Sequence, residues 1–252
     1  MELTGLKGKV AIVTGASSGL GQAQAIHLAK EGVKVIAIGR NEQGLQHTID
    51  TIAANGGQAE AMVANVTDEK RLTEIVEDVI KRYKSIDIVC NTAGIYDQHK
   101  KTLEIDKAYF CEVLETNVVS MYIMCRLVIP YMLEQGGGVI LNMSSFTGKR
   151  AGGGGSAYVT SKHAICGYTK SLCFEYAAQG IRANAICPGS VATPLIEQSI
   201  DPKDDWRLNL IPCRRYGTAD DVAYLTVFLA SEQASWIHGA DISIDGGRNA
   251  KG

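Results

Sequence analysis

A tyrosine, a lysine and a serine pair in the middle of the sequence have the types and spacing for proton transfer. Tyr158 and Lys162 stand four positions apart, so on a helix they share one face, one turn from each other. Ser144 and Ser145 follow the apolar run Val139-Ile140-Leu141-Asn142-Met143, and a hydroxyl at such a strand end reaches the same point. A free phenol titrates at about pH 10, and an ammonium fixed within a few ångströms favours the phenolate. The combination predicts general acid–base chemistry on an oxygen. A glycine run, Gly152 to Gly155, separates the serines from Ser156-Ala157-Tyr158, where the helix opens.

The elements that must position these groups alternate along the chain. Residues 9–14 read as a buried strand, followed by Gly15-Ala16-Ser17-Ser18-Gly19-Leu20-Gly21 and a helix that runs to Lys30 and ends at Gly32. In a strand–turn–helix setting, Gly15, Gly19 and Gly21 let backbone N–H groups approach a pyrophosphate at a helix N-terminus. Residues 33–38 form a second strand leading to Gly39-Arg40-Asn41. An acidic residue about 20 positions past the glycine turn would hold the ribose 2′-hydroxyl of NAD. Gly39 stands there instead, with Arg40 beside it. A guanidinium pairs with a 2′-phosphate and stacks on adenine, so NADP(H) is favoured over NAD(H).

A helix over residues 42–54, a strand over 59–66, a helix from Thr67-Asp68 to Tyr83 and a strand over 86–90 come next. The fourth strand leads into Asn91-Thr92-Ala93-Gly94. Residues 101–135 are expected to be helical in two pieces meeting near Asn117. The second piece (118–133) is apolar almost all round, which suits burial on more than one face or a subunit interface. The helix opened at Ser156 continues to Ala178, and residues 181–186 are a sixth strand broken by Pro188-Gly189. Residues 190–215 hold Pro194, Pro202 and Pro212 and no clear long element, which makes them a candidate lid. A helix over 218–230 and a strand over 240–244 complete the chain.

Nearly continuous apolar strands alternating with helices specify an α/β fold, a single Rossmann-type doubly wound parallel sheet with helices on both faces. One domain over residues 1–252 is expected. The ligand then lies at the carboxyl ends of the strands, where strand order reverses.

Composition narrows the function. The chain has 252 residues, is 46% hydrophobic and carries a net charge of −2, which argues against nucleic acid as the main partner. No signal-peptide pattern opens it, and no apolar run approaches the roughly 20 residues of a membrane span. Seven cysteines lack any C-x-x-C pair, and His27, His47, His99, His163 and His238 share no ligand spacing with them. A cytoplasmic protein without a catalytic metal is expected.

Taken together, Thr14-Gly15-x-x-x-Gly19-x-Gly21, Asn91-x-Ala93-Gly94, Asn117, Ser145, Tyr158-x-x-x-Lys162 and Pro188-Gly189 resemble the short-chain dehydrogenase/reductase family in its branch of roughly 250 residues. Tyr96 and Lys100 repeat the Y-x-x-x-K pattern, but Tyr158 alone follows a serine by thirteen residues and opens a helix after the fifth strand. The resemblance implies that Tyr158 exchanges a proton with a carbonyl or alcohol oxygen. Lys162 would lower its pKa and hold the nicotinamide ribose, Ser145 would hydrogen-bond the reacting oxygen, and Asn117 would hold a water of a proton relay.

Ser17, Ser18, Leu20 and Arg40 would contact the adenosine phosphates, Asn65 and Val66 the adenine, and Asn91, Ala93 and Gly94 the ribose region. Pro188, Gly189, Val191 and Thr193 would border the nicotinamide. A homotetramer is implied as well. Among relatives, 3-oxoacyl-[acyl-carrier-protein] reductases look most similar. Gly136 and Gln179, however, stand where arginines would dock the carrier protein, which leaves a small ketone, sugar or steroid as the alternative substrate. A non-catalytic NADP(H)-binding sensor is the alternative of a different class.

Overall fold

Seven strands share one sheet in the computed structural model, which describes residues 3–193 and 206–250. They are β1 (Val10–Thr14), β2 (Lys34–Gly39), β3 (Gln58–Val63), β4 (Ile88–Asn91), β5 (Gly138–Met143), β6 (Ile181–Pro188) and β7 (Asp241–Ile244). Their order is β3-β2-β1-β4-β5-β6-β7, and every neighbouring pair is parallel. Strand order therefore reverses between β1 and β4.

Among the described residues, seven α-helices cover the two faces: α1 (Gly19–Lys30), α2 (Glu42–Ala54), α3 (Glu69–Tyr83), α4 (Lys107–Leu114), α5 (Ser120–Glu134), α6 (Ser156–Tyr176) and α7 (Ala219–Ala230). Because side chains alternate along a strand, neighbouring residues enter different cores. Val13 and Val35 pack with Leu28, Leu45 and Val222 on one face. Ile12 and Ile36 pack with Leu72, Val128 and Ile165 on the other. A strand buried on both sides needs an apolar run such as that of β1; β6 is buried throughout as well, with Arg182 and Asn184 inside it donating to the carbonyls of Ser231, Ala234 and Ile237.

Several boundaries differ from the sequence expectation. β3 stops at Val63, because Ala64 already turns its N–H to the Gly39 carbonyl and Ala64 to Val66 border a cleft. Asp68 is the cap of α3, accepting the Arg71 N–H at 3.0 Å. β6 runs on through Pro188, which pairs with Ile244 and, lacking an N–H, ends the ladder.

The helical stretch after Lys101 does divide near Asn117, as expected, but its two pieces are continuous. α4 and α5 run on through a π turn, Glu115–Val119, that contains Asn117. A π turn inserts an extra residue into the helical repeat, and Asn117 sits in it fully buried. Residues 107–134 are long and apolar enough to cross a membrane, which the sequence reading did not anticipate. Half of their most apolar window is buried in the fold, with Met121, Met124, Cys125 and Val128 in the core, and that packing accounts for the composition. Residues 194–205 of the expected lid lie outside the described residues. The flanking parts form a bridge between Val191 and Gly217 and a short 3-10 turn, Trp206–Leu210.

Candidate active site

The carboxyl ends of β1 and β4 are tied together at the reversal point. The Thr14 hydroxyl accepts the N–H groups of Thr92 at 2.9 Å and Ala93 at 3.1 Å. Gly15 turns there with φ +70°, and a Cβ on it would lie 3.0 Å from the Ala93 backbone. A Cβ on Gly21 would lie 2.6 Å from the Gly15 carbonyl carbon, so α1 starts directly against the turn.

These absent side chains leave a cavity of about 640 Å³. Gly15, Ser17, Ser18, Gly19, Leu20 and Gly21 form one wall; Gly39, Arg40, Asn65 and Val66 form another; Ala93, Gly94 and Thr193 lie towards its inner end. The amino end of α1 has no side-chain cap and no acid in its first turn. Its unpaired N–H groups and positive dipole end are left for an anion. Among the described residues, Arg40 is the only charged side chain on the wall, and it is exposed. Size, cradle and free helix end together fit a dinucleotide.

A smaller cavity of about 100 Å³ adjoins it, sharing Leu20, Gly94, Ile95 and Thr193. Its walls bring together Ser145, Tyr158, Lys162, Pro188, Gly189 and Val191. β5 and β6 deliver the serine and the Pro-Gly step, and the first two turns of α6 deliver Tyr158 and Lys162. Ser145 and Tyr158 line this cavity together, and the Ser145 hydroxyl draws the phenol's pKa down. Ser144 faces away, donating to the Lys162 carbonyl at 2.9 Å and lying 3.3 Å from the Cys166 sulfur.

The electrostatics differ from the sequence expectation in one respect. Burial pushes the Tyr158 phenol up to about 12; Ser145 draws it down and the charge of Asp97 adds to the rise. Lys162 does not acidify it here. Burial brings the ammonium down to about 8, and its Nζ donates to the Met143 carbonyl at 2.8 Å. Desolvation disfavours the charged form of each group, so the pair is poised with a neutral phenol.

Asn117 stands behind this pair. Its Oδ1 accepts the Ile95 N–H at 2.7 Å, and its Nδ2 donates to the Ile95 carbonyl at 3.0 Å and to the Ser161 hydroxyl at 3.1 Å. A Cβ on Gly94 would lie 3.1 Å from Asn117 Oδ1 and 3.8 Å from Lys162 Nζ, so both residues flank the same glycine. Asn91 is set apart from the cleft. Its amide donates to Asn142 at 3.0 Å and to the Cys125 sulfur at 3.4 Å, inside the sheet.

The sequence reading assigned no role to Tyr96 or Asp97 in the loop after β4. The Tyr96 ring meets the Tyr158 ring edge to face, with centroids 4.9 Å apart, and Asp97 is buried against the start of α6. The repeated Y-x-x-x-K at Tyr96 was the one available signal, because it marks a segment that packs against the pair it imitates. Among the described residues, no group of three or more His, Cys, Asp or Glu side chains is arranged to hold a metal ion.

Residues 15–249 match a family model described as Enoyl-(Acyl carrier protein) reductase. The chain is 35% identical over 242 residues to the 3-oxoacyl-[acyl-carrier-protein] reductase FabG of Thermotoga maritima, covering 96% of this chain and 98% of that protein. It is 34% identical to the levodione reductase of Leifsonia aquatica, covering 96% and 94%. The crystal structure of levodione reductase has a TM-score of 0.94 at 32% identity, over 98% of this chain and 100% of the other. A 7α-hydroxysteroid dehydrogenase in complex with NADH and 7-oxo glycochenodeoxycholic acid has a TM-score of 0.91 at 33% identity, over 96% and 94%. With the fold, the cradle and these relatives in agreement, the chain belongs to the short-chain dehydrogenase/reductase family and is an NAD(P)-dependent oxidoreductase acting on a carbonyl or alcohol.

Proposed function

We propose that the protein is an NADP(H)-preferring carbonyl reductase in which Tyr158 transfers the proton. The observation that carries this is that Ser145, Tyr158 and Lys162 line one cavity at the inner end of the nucleotide cleft, with Lys162 one turn beyond Tyr158 on α6. A bound nicotinamide supplies or accepts the hydride. Tyr158, neutral when buried, gives its proton to the carbonyl oxygen in reduction and removes it in oxidation. Ser145 hydrogen-bonds the same oxygen and steadies the charge that develops there. Lys162 holds the ribose and supports the phenolate left after transfer. Asn117 fixes Ile95, a wall of the inner cavity, and stands where a water could resupply the proton.

The 2′-phosphate preference rests on Arg40 and on the absence of any carboxylate among the described cavity walls. For the substrate, a small ketone, sugar or steroid is favoured over a thioester on a carrier protein. Gly136 and Gln179 carry no positive charge, and they precede β5 and β6 at the end of the sheet away from Tyr158. The similarity to FabG supports 3-oxoacyl thioesters as the second reading. The whole chain acts as one catalytic unit and assembles as a homotetramer, a reading supported by exposed Tyr122 on α5, Phe174 on α6, and Tyr224 on α7. NADPH consumption across 3-oxoacyl thioesters, small ketones, sugars and steroids tests the function. Binding of NADPH without turnover on any of them would leave a nucleotide sensor instead. A monomer at micromolar concentration in sedimentation would exclude the tetramer.

A further inference from the structure

Asp97 is fully buried, and among the described residues no cation pairs with it. An unpaired carboxylate is costly to bury unless hydrogen bonds replace its water. Two do so. Oδ1 accepts the Gly155 N–H at 2.7 Å and Oδ2 accepts the Tyr158 N–H at 2.8 Å. α6 has no cap from its own flanking residue, Gly155, so a carboxylate 58 positions earlier in the chain takes that place, where the helix dipole favours a negative charge.

The loop is shaped to bring that carboxylate in. Gln98 and His99 both have positive φ, +54° and +61°, which turns the chain sharply. The Lys100 N–H returns to the Asp97 carbonyl at 3.1 Å. The glycine run accepts the approach. A Cβ on Gly155 would stand 2.6 Å from Asp97 Oδ2, one on Gly154 would stand 2.5 Å from the Tyr158 ring, and one on Gly153 would overlap Phe146. These glycines are close-contact positions, and only Gly152 has open space around it and a positive φ.

We propose that Asp97 is a positioning residue for proton transfer, a buried carboxylate that fixes the backbone of Tyr158 and sets a negative charge against the residue that moves the proton. The proposal rests on Tyr158 being the acid–base residue. The groups facing Tyr158 are Ser145 from the end of β5, Tyr96 and Asp97 from the loop after β4, and Lys162 from its own helix. His99 packs on Tyr96, and Arg207 acts on Tyr96 with the opposite sign to Asp97. Of these, Asp97 is the negative charge that bears on the phenol directly.

Asp97→Asn tests it, since the shape is retained and the charge removed. With Asp97 neutral, the phenolate is less opposed and Tyr158 titrates lower. Both the acidic limb of alcohol oxidation and the alkaline limb of carbonyl reduction should move to lower pH by ~0.5 unit or more, with kcat down roughly tenfold and the cofactor KM unchanged. A direct reading comes from tyrosinate absorbance, as the titration difference between each protein and its Tyr158→Phe counterpart. Lowered kcat on an unmoved pH profile would reduce Asp97 to a helix cap and overturn the proposal, as would unchanged kcat. If Asp97→Asn does not fold, Asp97→Ser keeps a short acceptor without charge and carries the same comparison; failure of both to fold would make the role structural and end the proposal. Full activity in Tyr158→Phe alone would instead reject the underlying assignment, so the two failures are distinct.

Discussion

The Lys162 ammonium lies 5.4 Å from the centre of the Tyr158 ring and gives its hydrogen bond to the Met143 carbonyl at 2.8 Å. The lysine is anchored to the end of β5, and the tyrosine is left to Ser145 and the loop after β4. Lys162 is buried and Tyr158 half-buried, and the charged form of each is disfavoured, but the consequences for stability have opposite signs.

Lys162 titrates at about 8 in the folded protein against an ordinary 10.5. Between those values the unfolded chain binds more protons, so stability rises with pH over that window. At lower pH the buried ammonium costs ~3 kcal/mol. Above pH 10 Tyr158 opposes the trend, because the folded state then keeps a proton that the unfolded state loses. Urea unfolding of cofactor-free protein at pH 7, 8.5 and 9.5 should show the rise. Lys162→Met should abolish it and be the more stable protein at pH 7, though inactive. A flat wild-type profile would contradict the burial of a charged lysine.

Tyr158→Phe removes the phenol hydroxyl and leaves the ring. Turnover should fall by about 10²–10⁴-fold, with NADPH affinity by fluorescence titration within a few-fold of wild type. Loss of both together would point to a misplaced helix.

Arg40→Asp replaces the one charged side chain on the outer cavity wall among the described residues. NADPH affinity should drop roughly 10- to 100-fold, the worth of a charge-assisted hydrogen bond, while NADH changes far less. Equal losses, or a wild type that prefers NADH, would remove the phosphate role from Arg40.

Gly21→Ala forces a methyl against the Gly15 carbonyl. Since the obstacle is backbone, a cost of about 1–3 kcal/mol is expected, along with impaired cofactor binding because the turn must move. A thermal midpoint and cofactor affinity equal to wild type would show the turn to be looser than described.

Asn117→Ala leaves the Ile95 N–H and carbonyl without their partner. Each buried group left unpaired costs about 1–3 kcal/mol. A lowered midpoint and reduced kcat with an unchanged cofactor KM are expected; unchanged stability would mean that water substitutes for the amide.

Much of this was legible in the sequence because local chemistry forced it. The glycines of residues 15–21 follow an apolar strand and precede a helix, and no other residue fits that turn. Tyr158 and Lys162 share a face by helical geometry alone. What escaped was set by distant segments. Nothing near Asp97 in the chain shows that it will meet Gly155, and nothing in Asn91 shows that its amide will turn to Asn142. The π turn at Asn117 was hidden because its residues, Glu115-Thr116-Asn117-Val118-Val119, include no glycine or proline to mark a change of helical repeat. The direction of the Lys162 side chain depended on the Met143 carbonyl, contributed by another element.

Arg40 borders the outer cavity and Tyr158 the inner one, and neither borders both. Recognition of the coenzyme's far end and handling of the proton are thus separable traits. On the proposed role of Arg40, a lineage carrying this architecture would change its coenzyme through one exposed loop position while its reaction chemistry stays intact, and an engineer would have the same handle.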